Sequence, residues 1–375
     1  MAEATLSCEG DRPEQTPWLW SRTVDLGVFG GAAAFALAVA ALSPMLAPSG
    51  EVPTWAWFVF VLGLDVAHVW STMFRTYFDR EELAKRKALY ALTPVLCLAG
   101  GIALHVHHPL TFWRVLAYAA VFHFVRQQVG WVAIYRARAR EFSAYDRWLD
   151  NALIYAATGW PVLYWHAHLP RAFEWFVPGD FIASPWVGRL VWPAAGLYVG
   201  LCGAYLLRSL WHARRGCVNL GKHVVVVSTA VIWLVGIVLV NEDFTFTVTN
   251  VTIHAVPYFA LLWAYSKQRA SERPGRWVAR VVSWGWFAFV TIALAMAFTE
   301  ELLWERLVWH ERPGGWFGGD APETPVLGDA ARHIVVPLLS LPQVVHYVLD
   351  GVIWRSKDAG PAQARALGFA PNPSA

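Results

Sequence analysis

Four histidines lie within long apolar stretches of the chain: His68, His123, His254 and His346. An ionisable side chain inside a hydrophobic segment is costly to bury and usually marks a functional site. Imidazole nitrogens are ligands for iron, copper and zinc. We therefore predict that the four rings converge and ligate a metal. The alternative is that each ring hydrogen-bonds across helices and only stabilises a helical bundle.

Each histidine has polar neighbours three or four residues away, a spacing that places side chains on one face of a helix. These neighbours are Asp65 and Thr72 around His68, Arg126 and Gln127 after His123, Asn250 and Tyr258 around His254, and Gln343 and Asp350 around His346. A ligating imidazole normally gives its second N–H to a carboxylate or a carbonyl, which fixes its tautomer. The spacing therefore predicts that polar side chains orient the ligands.

We assign the positioning role to Asp65, Gln127, Asn250 and Asp350. Carboxylates also ligate metals directly, so the two aspartates are alternative ligands.

Arg126 and Tyr258 are the candidates for contact with a substrate or for supply of a proton. A buried arginine needs an anionic partner. A structural salt bridge from Arg126 to Asp65 or Asp350 is the alternative to contact with a substrate.

The composition indicates a membrane protein. Of the 375 residues, 57% are hydrophobic and only 15% are charged, and the mean hydropathy is +0.38. Soluble domains carry about 25% charged residues. Continuous apolar runs of about twenty residues, the length that a spanning helix needs, recur along the chain. They predict an all-α bundle of ten transmembrane helices at 26–47, 54–76, 87–105, 111–135, 148–167, 186–208, 220–240, 244–266, 277–298 and 331–354.

Lysine and arginine are concentrated in the loops after the even-numbered spans, whereas the loops after spans 1, 3 and 7 have none. By the positive-inside rule, both termini are then cytoplasmic, in an inner membrane of the bacterial type. All four histidines lie on even-numbered spans, about 15–22 Å from the outer end at 1.5 Å per residue. The rings therefore share one depth, which is the basis for predicting that they meet.

Residues 17–357 are predicted to form a single transmembrane domain. The ends of the chain, 1–16 and 358–375, are rich in proline and in small or polar residues. We predict that both are disordered tails.

These observations favour a membrane-bound, metal-dependent oxidoreductase with non-haem iron, while haem, copper and zinc remain alternatives. Its substrate would be a lipid, an isoprenoid or a carotenoid-like molecule that enters from the bilayer, and an electron donor is a possible partner. The net charge of +3 gives no indication of nucleic-acid binding.

A metal-cation or proton transporter is the first alternative, because Pro257, Pro337 and Pro342 lie close to His254 and His346 and favour broken helices. A haem-binding electron-transfer protein and a metal-free structural protein are the others.

Overall fold

The computed structural model describes residues 18–184, 186–310, 327–355 and 359–369. These residues form helices and connecting loops, and none of them lies in a strand. The predicted all-helical class is therefore confirmed for this part of the chain. The predicted N-terminal tail, 1–16, lies outside the described residues.

Ten long helices are present among the described residues, and each overlaps one of the predicted spans. In chain order they are α1 (Arg22–Ala41), α2 (Thr54–Phe74), α3 (Lys87–His107), α4 (Pro109–Arg138), α5 (Ala144–Ala167), α6 (Val187–Ala213), α7 (Leu220–Leu239), α8 (Asp243–Glu272), α9 (Trp286–Trp309) and α10 (Asp329–Ile353). Seven of them, all except α4, α5 and α8, are long and apolar enough to cross a membrane. This is consistent with a multi-pass membrane protein.

Helix α8 is enclosed by other parts of the chain along most of its length. It packs against α1, α2 and α7 and against two short helices, Trp277–Ser283 and Pro361–Ala366. Its polar residues Thr245, Asn250 and His254 are buried. Because neighbouring segments cover these side chains, they are shielded from the surroundings of the bundle. A long helix that other segments enclose does not need an apolar outer face, which explains the lower hydropathy of α8.

The ninth predicted span, 277–298, begins too early. Trp277–Ser283 forms a separate short helix, and α9 begins at Trp286. Gly285 lies between them with φ +94° and ψ −178°, a conformation that is essentially restricted to glycine. Hydropathy does not reveal such a turn, because the residues on both sides of it are apolar.

Irregular helical turns precede two of the four histidines. In α2, Trp57–Val66 is π-helical and ends two residues before His68. In α10, the regular helix is interrupted at Ser340, six residues before His346. Pro342 contributes to this break because proline has no N–H to donate to the preceding turn. π-Helical turns are frequent at functional sites.

Part of the predicted disordered tail, 358–375, is folded. Pro361–Ala366 is a short helix whose Ala362 and Gln363 are buried. The Gln363 Oε1 atom accepts a hydrogen bond of 3.0 Å from Arg75. The packed domain therefore extends beyond its predicted limit at residue 357.

Candidate metal centre

The four histidines come together from α2, α4, α8 and α10. One ring nitrogen of each lies within 4.8 Å of the corresponding nitrogens of the other three. The Nε2 atoms of His254 and His68 are 3.0 Å apart, and those of His346 and His123 are 3.1 Å apart. None of the four residues is more than 5% exposed. The predicted convergence is therefore confirmed, and the group is compatible with a metal site.

The four rings form a closed square. Going round it, the ring centroids of His68, His254, His123 and His346 are separated by 4.6, 5.0, 4.7 and, back to His68, 5.0 Å. Each ring meets its neighbours edge to face, with interplanar angles between 71° and 90°. This arrangement surrounds one common centre instead of forming two independent pairs.

The nitrogen separations can be compared with those around a metal ion. At a metal–nitrogen distance of about 2.1 Å, two ligands at a right angle are about 3.0 Å apart, whereas two ligands of a tetrahedron are about 3.4 Å apart. The two Nε2 separations of 3.0 and 3.1 Å match the right angle. Opposite ligands would be about 4.2 Å apart. Since all four nitrogens lie within 4.8 Å of one another, a bound ion would require the group to contract by roughly half an ångström at most.

The outward nitrogen of His68 is held by a backbone carbonyl. Its Nδ1 atom lies 3.2 Å from the carbonyl oxygen of Leu64. Because a carbonyl can only accept, Nδ1 carries the proton and Nε2 presents a lone pair to the centre of the square. The predicted partner, Asp65, lies on the same side, but its Oδ1 atom is 3.8 Å from Nδ1, beyond hydrogen-bonding distance.

The outward nitrogen of His346 is held by Thr72. The Thr72 Oγ1 atom lies 2.8 Å from Nδ1 of His346 and 3.1 Å from the hydroxyl of Tyr258. Tyr258 is 1% exposed, and its ring contacts both His68 and His346. Tyr258 therefore lies directly beside two of the four histidines. Thr72, which the spacing assigned to His68, instead serves a histidine on another helix.

Asp350 contacts His123 rather than the histidine on its own helix. Its Oδ2 atom lies 3.9 Å from Nδ1 of His123, and its Oδ1 atom is buried without a hydrogen-bond partner. Tyr347, which the sequence analysis did not single out, stacks on the His123 ring at 4.8 Å. Tyr347 therefore fixes the His123 ring from α10, whereas Asp350, like Asp65 beside His68, lies beyond hydrogen-bonding distance of the ring.

His254 is positioned by packing and by its backbone. Phe124 stacks on its ring, with centroids 3.6 Å apart and an interplanar angle of 11°. Gln127, predicted to orient a ligand, donates from Nε2 to the backbone carbonyl of His254 at 3.1 Å. The Nδ1 atom of His254 is buried and has no hydrogen-bond partner.

Two predicted residues do not contact the histidine rings. The Nδ2 atom of Asn250 donates to the carbonyl of Phe246 at 3.0 Å, so its side chain folds back along its own helix. Arg126 is exposed, and its Nη1 atom donates to the Tyr155 hydroxyl at 2.6 Å. Three residues along a helix correspond to a rotation of about 60° away from His123, which turns Arg126 towards α5. The predicted roles of Asn250 and Arg126 at the site are therefore corrected.

Comparisons of the chain with protein-family models, with curated proteins and with solved structures find no match.

Proposed function

We propose that the chain is a membrane oxidoreductase that binds one divalent metal ion, most suitably iron, through His68, His123, His254 and His346. The observation that carries the proposal is the square of four buried rings, in which the Nε2 separations of 3.0 and 3.1 Å across two of its sides match ligands at a right angle. If the histidines served only to hydrogen-bond in two pairs, the two pairs would not have to surround a common centre.

The outward contacts of the rings also support metal binding. Ligating histidines usually donate their second N–H to an oxygen acceptor. Leu64 and Thr72 provide such oxygens for His68 and His346, and Asp350 lies at 3.9 Å from His123.

Charge balance is available close to the four neutral rings. Asp65 and Asp350 lie 3.8 and 3.9 Å from ligand nitrogens. Their two negative charges would balance a divalent ion without displacing an imidazole, which reduces the cost of burying that ion.

The spacing favours iron over zinc and haem. Zinc prefers a tetrahedron, whereas right angles suit six-coordinate iron and square-planar copper. Four histidines around a six-coordinate ion leave two positions for dioxygen and substrate. A haem does not fit, since rings with centroids 4.6–5.0 Å apart leave no space for a macrocycle between them. Copper is the alternative metal, and the metal analysis described below distinguishes it from iron.

The surroundings favour a hydrophobic substrate. The histidines lie between buried apolar clusters, one containing Phe124 and the other containing Tyr258. A lipid, isoprenoid or carotenoid-like molecule could reach this level of the bundle from the bilayer. Bound iron would supply redox chemistry, with dioxygen as the oxidant and an external electron donor as a partner. Tyr258, one hydrogen bond from Thr72, is the residue best placed to hold or move a proton beside the ligands.

The proposal includes ten spans with both termini in the cytoplasm of a bacterial-type inner membrane. It rests on the loop charges and on the ten long helices. Placing α4, α5 and α8 in the membrane lets all four histidines lie at one depth.

Metal analysis of the detergent-purified protein tests the assignment. We expect about one iron per chain, no haem absorption band, and loss of the metal in His254→Ala. His166→Ala is the matched control, because His166 is also hydrogen-bonded to a helix carbonyl, that of Val162 at 2.7 Å, but lies outside the square. A metal-free wild-type protein, or equal metal loss in both variants, would refute the site.

Oxygenase activity requires a second measurement. Iron-loaded protein in lipid should consume dioxygen when membrane lipids or isoprenoids are supplied, and His254→Ala should not. Mass spectrometry of the extracted lipids should detect the oxidised product. Bound iron without any oxygen consumption would count against the oxidoreductase.

A metal-cation or proton transporter is the second candidate, and the interruption of α10 at Ser340 favours it. Helix α8, in contrast, continues through Pro257 without a break. A transporter should move ⁵⁵Fe or protons across proteoliposomes in a manner that depends on His254. An oxidoreductase should keep its iron in the presence of an external chelator.

A further inference from the structure

Arginines line a cleft at the end of the bundle where α2 ends and α9 begins. The cleft has a volume of about 190 Å³ and lies between the residues that follow α2, the end of α8 and the short helix Trp277–Ser283. Its charged lining residues are Asp79, Arg80, Glu81, Arg269, Arg273, Arg276 and Arg280. We call it the arginine cleft.

The two acids of the arginine cleft are already paired. The Arg269 Nε atom lies 2.6 Å from Oδ2 of Asp79. The Arg273 Nε atom lies 2.5 Å from Oε1 of Glu81. These pairs leave three further positive charges in the lining of the cleft.

Those charges belong to Arg80, Arg276 and Arg280. All three residues are exposed, and within the described part of the chain no ion pair joins any of them to an acid. Gly275, with φ +85°, forms the turn that brings Arg276 to the same cleft as Arg273. Guanidinium groups present forked N–H donors that match the oxygens of a phosphate.

Two aromatic residues, Phe78 and Trp277, also line the arginine cleft. Trp277 stacks on Phe74, the last residue of α2, with ring centroids 5.5 Å apart. It also meets Phe78 edge to face at 4.6 Å. The arginines therefore share one concave surface with packed aromatic rings, which distinguishes them from arginines spread over a convex face.

Two exposed aromatic residues follow the arginine cleft in the chain. Trp284 lies one helical turn after Arg280, since its backbone N–H donates to the Arg280 carbonyl at 3.2 Å. Trp284 is 69% exposed and Phe287 is 83% exposed. Large exposed aromatic residues beside basic residues are typical of the level at which lipid headgroups lie. The cleft therefore opens next to a surface suited to lipid.

We propose that the arginine cleft binds a phosphate-bearing anion, with the headgroup of an anionic phospholipid as its source. Arg80, Arg276 and Arg280 would contact the phosphate oxygens, and the exposed aromatic residues would contact the acyl chains. The site is separate from the four histidines and does not depend on their function.

Native mass spectrometry in an uncharged detergent tests this site with phosphatidylglycerol, phosphatidylcholine and inorganic phosphate as probes. We expect phosphatidylglycerol to bind the wild-type protein more tightly than phosphatidylcholine. The double variant Arg276→Gln/Arg280→Gln should bind phosphatidylglycerol at least fivefold more weakly. The control Arg147→Gln/Arg214→Gln removes two exposed arginines elsewhere, one in the first turn of α5 and one directly after α6, and its affinity should remain within twofold of the wild-type value.

If both double variants bind phosphatidylglycerol more weakly by the same factor, the lipid is attracted by the overall positive charge and not by the arginine cleft. That result would overturn the proposal. An unchanged affinity in Arg276→Gln/Arg280→Gln would overturn it as well. If inorganic phosphate binds the wild-type protein and competes with the lipid, the anion site is supported and its source is a soluble phosphate compound. Unchanged melting temperatures without added lipid verify that both variants fold.

Discussion

Phe124 and His254 lie on different helices with their rings nearly parallel and their centroids 3.6 Å apart. Phe124 follows His123 in the chain, yet it packs on the histidine of α8. Tyr347 likewise follows His346 and stacks on His123 of α4. An aromatic residue next to one histidine in sequence therefore fixes the ring of another in space. The orientations of the His254 and His123 rings therefore depend on how α4, α8 and α10 pack against one another.

Replacing Phe124 by leucine should weaken metal binding without removing a ligand. The His254 ring would lose its flat support, and its Nδ1 atom has no hydrogen bond to compensate. We expect an affinity about tenfold lower, which is the lower end of the effect of disturbing a ligand's supporting residue. Metal titration of the apoprotein measures it.

Phe122→Leu is the control for this variant, because Phe122 lies on the same helix and is 64% exposed. It should leave the metal affinity unchanged. If both variants bind metal like the wild-type protein, the stacking on His254 has no part in the site.

Replacing Thr72 by valine should disturb His346 while keeping the shape of the side chain. The hydroxyl bonded to Nδ1 of His346 and to Tyr258 would be lost. Loss of such a partner typically reduces metal affinity about 10- to 100-fold. Thr72→Ser retains the hydroxyl and should restore most of the affinity, a rescue that a purely steric role would not produce. Equal affinities for the valine and serine variants would contradict this role of Thr72.

The positions of the helices follow from the sequence because apolar runs of spanning length leave few alternatives. The prediction of a helix boundary fails where one residue's backbone conformation determines it, as at Gly285. The prediction also fails at Pro361–Ala366, a segment rich in small residues that nevertheless forms a helix and packs against α8. Hydropathy reports the average environment of a segment and does not describe such local contacts.

The convergence of the four histidines could be predicted from the common depth that the predicted spans assign to them, but the partners of the rings could not be predicted. Thr72 and Asp350 contact histidines of other helices, and the side chain of Asn250 bonds to its own helix. The outcome depends on how each helix is rotated about its axis. Spacing along one helix contains no information about that rotation.

Asp350 should matter for the charge of the bound ion. Asp350→Asn keeps the size of the side chain but removes one of the two negative charges near the ligands. We expect a divalent ion to bind about tenfold or more weakly, as for other residues that support ligands. Binding of monovalent copper should be affected less, because it needs less compensating charge. Measured affinities for Fe²⁺ and Cu⁺ that fall by the same factor would contradict charge balance as the role of Asp350.

Asp79 should make the stability of the end of the bundle where α2 ends depend on pH. Its carboxylate accepts hydrogen bonds from Arg269 and from the Tyr265 hydroxyl, both at 2.6 Å, and it caps the short helix Arg80–Lys85. Burial alone would raise the pKa of Asp79, but the hydrogen bonds from Arg269 and Tyr265 outweigh burial and hold the pKa below its ordinary value of 3.8. Since the folded-state pKa is lowered, the stabilisation is present at neutral pH and is lost as the pH falls below about 4.

Asp79→Asn should therefore lower the free energy of unfolding by about 2–3 kcal/mol at pH 7, because it leaves the charge of Arg269 partly buried without its main partner. The difference from the wild-type protein should shrink towards pH 3, where the wild-type carboxylate is also becoming neutral. Thermal unfolding in an uncharged detergent between pH 7 and pH 3 measures both effects.

Glu81→Gln is the control, since Glu81 is about half exposed and its ion pair with Arg273 should contribute less than about 1 kcal/mol. A difference between Asp79→Asn and the wild-type protein that stays constant over this pH range would show that the ionised form of Asp79 is not what stabilises the fold.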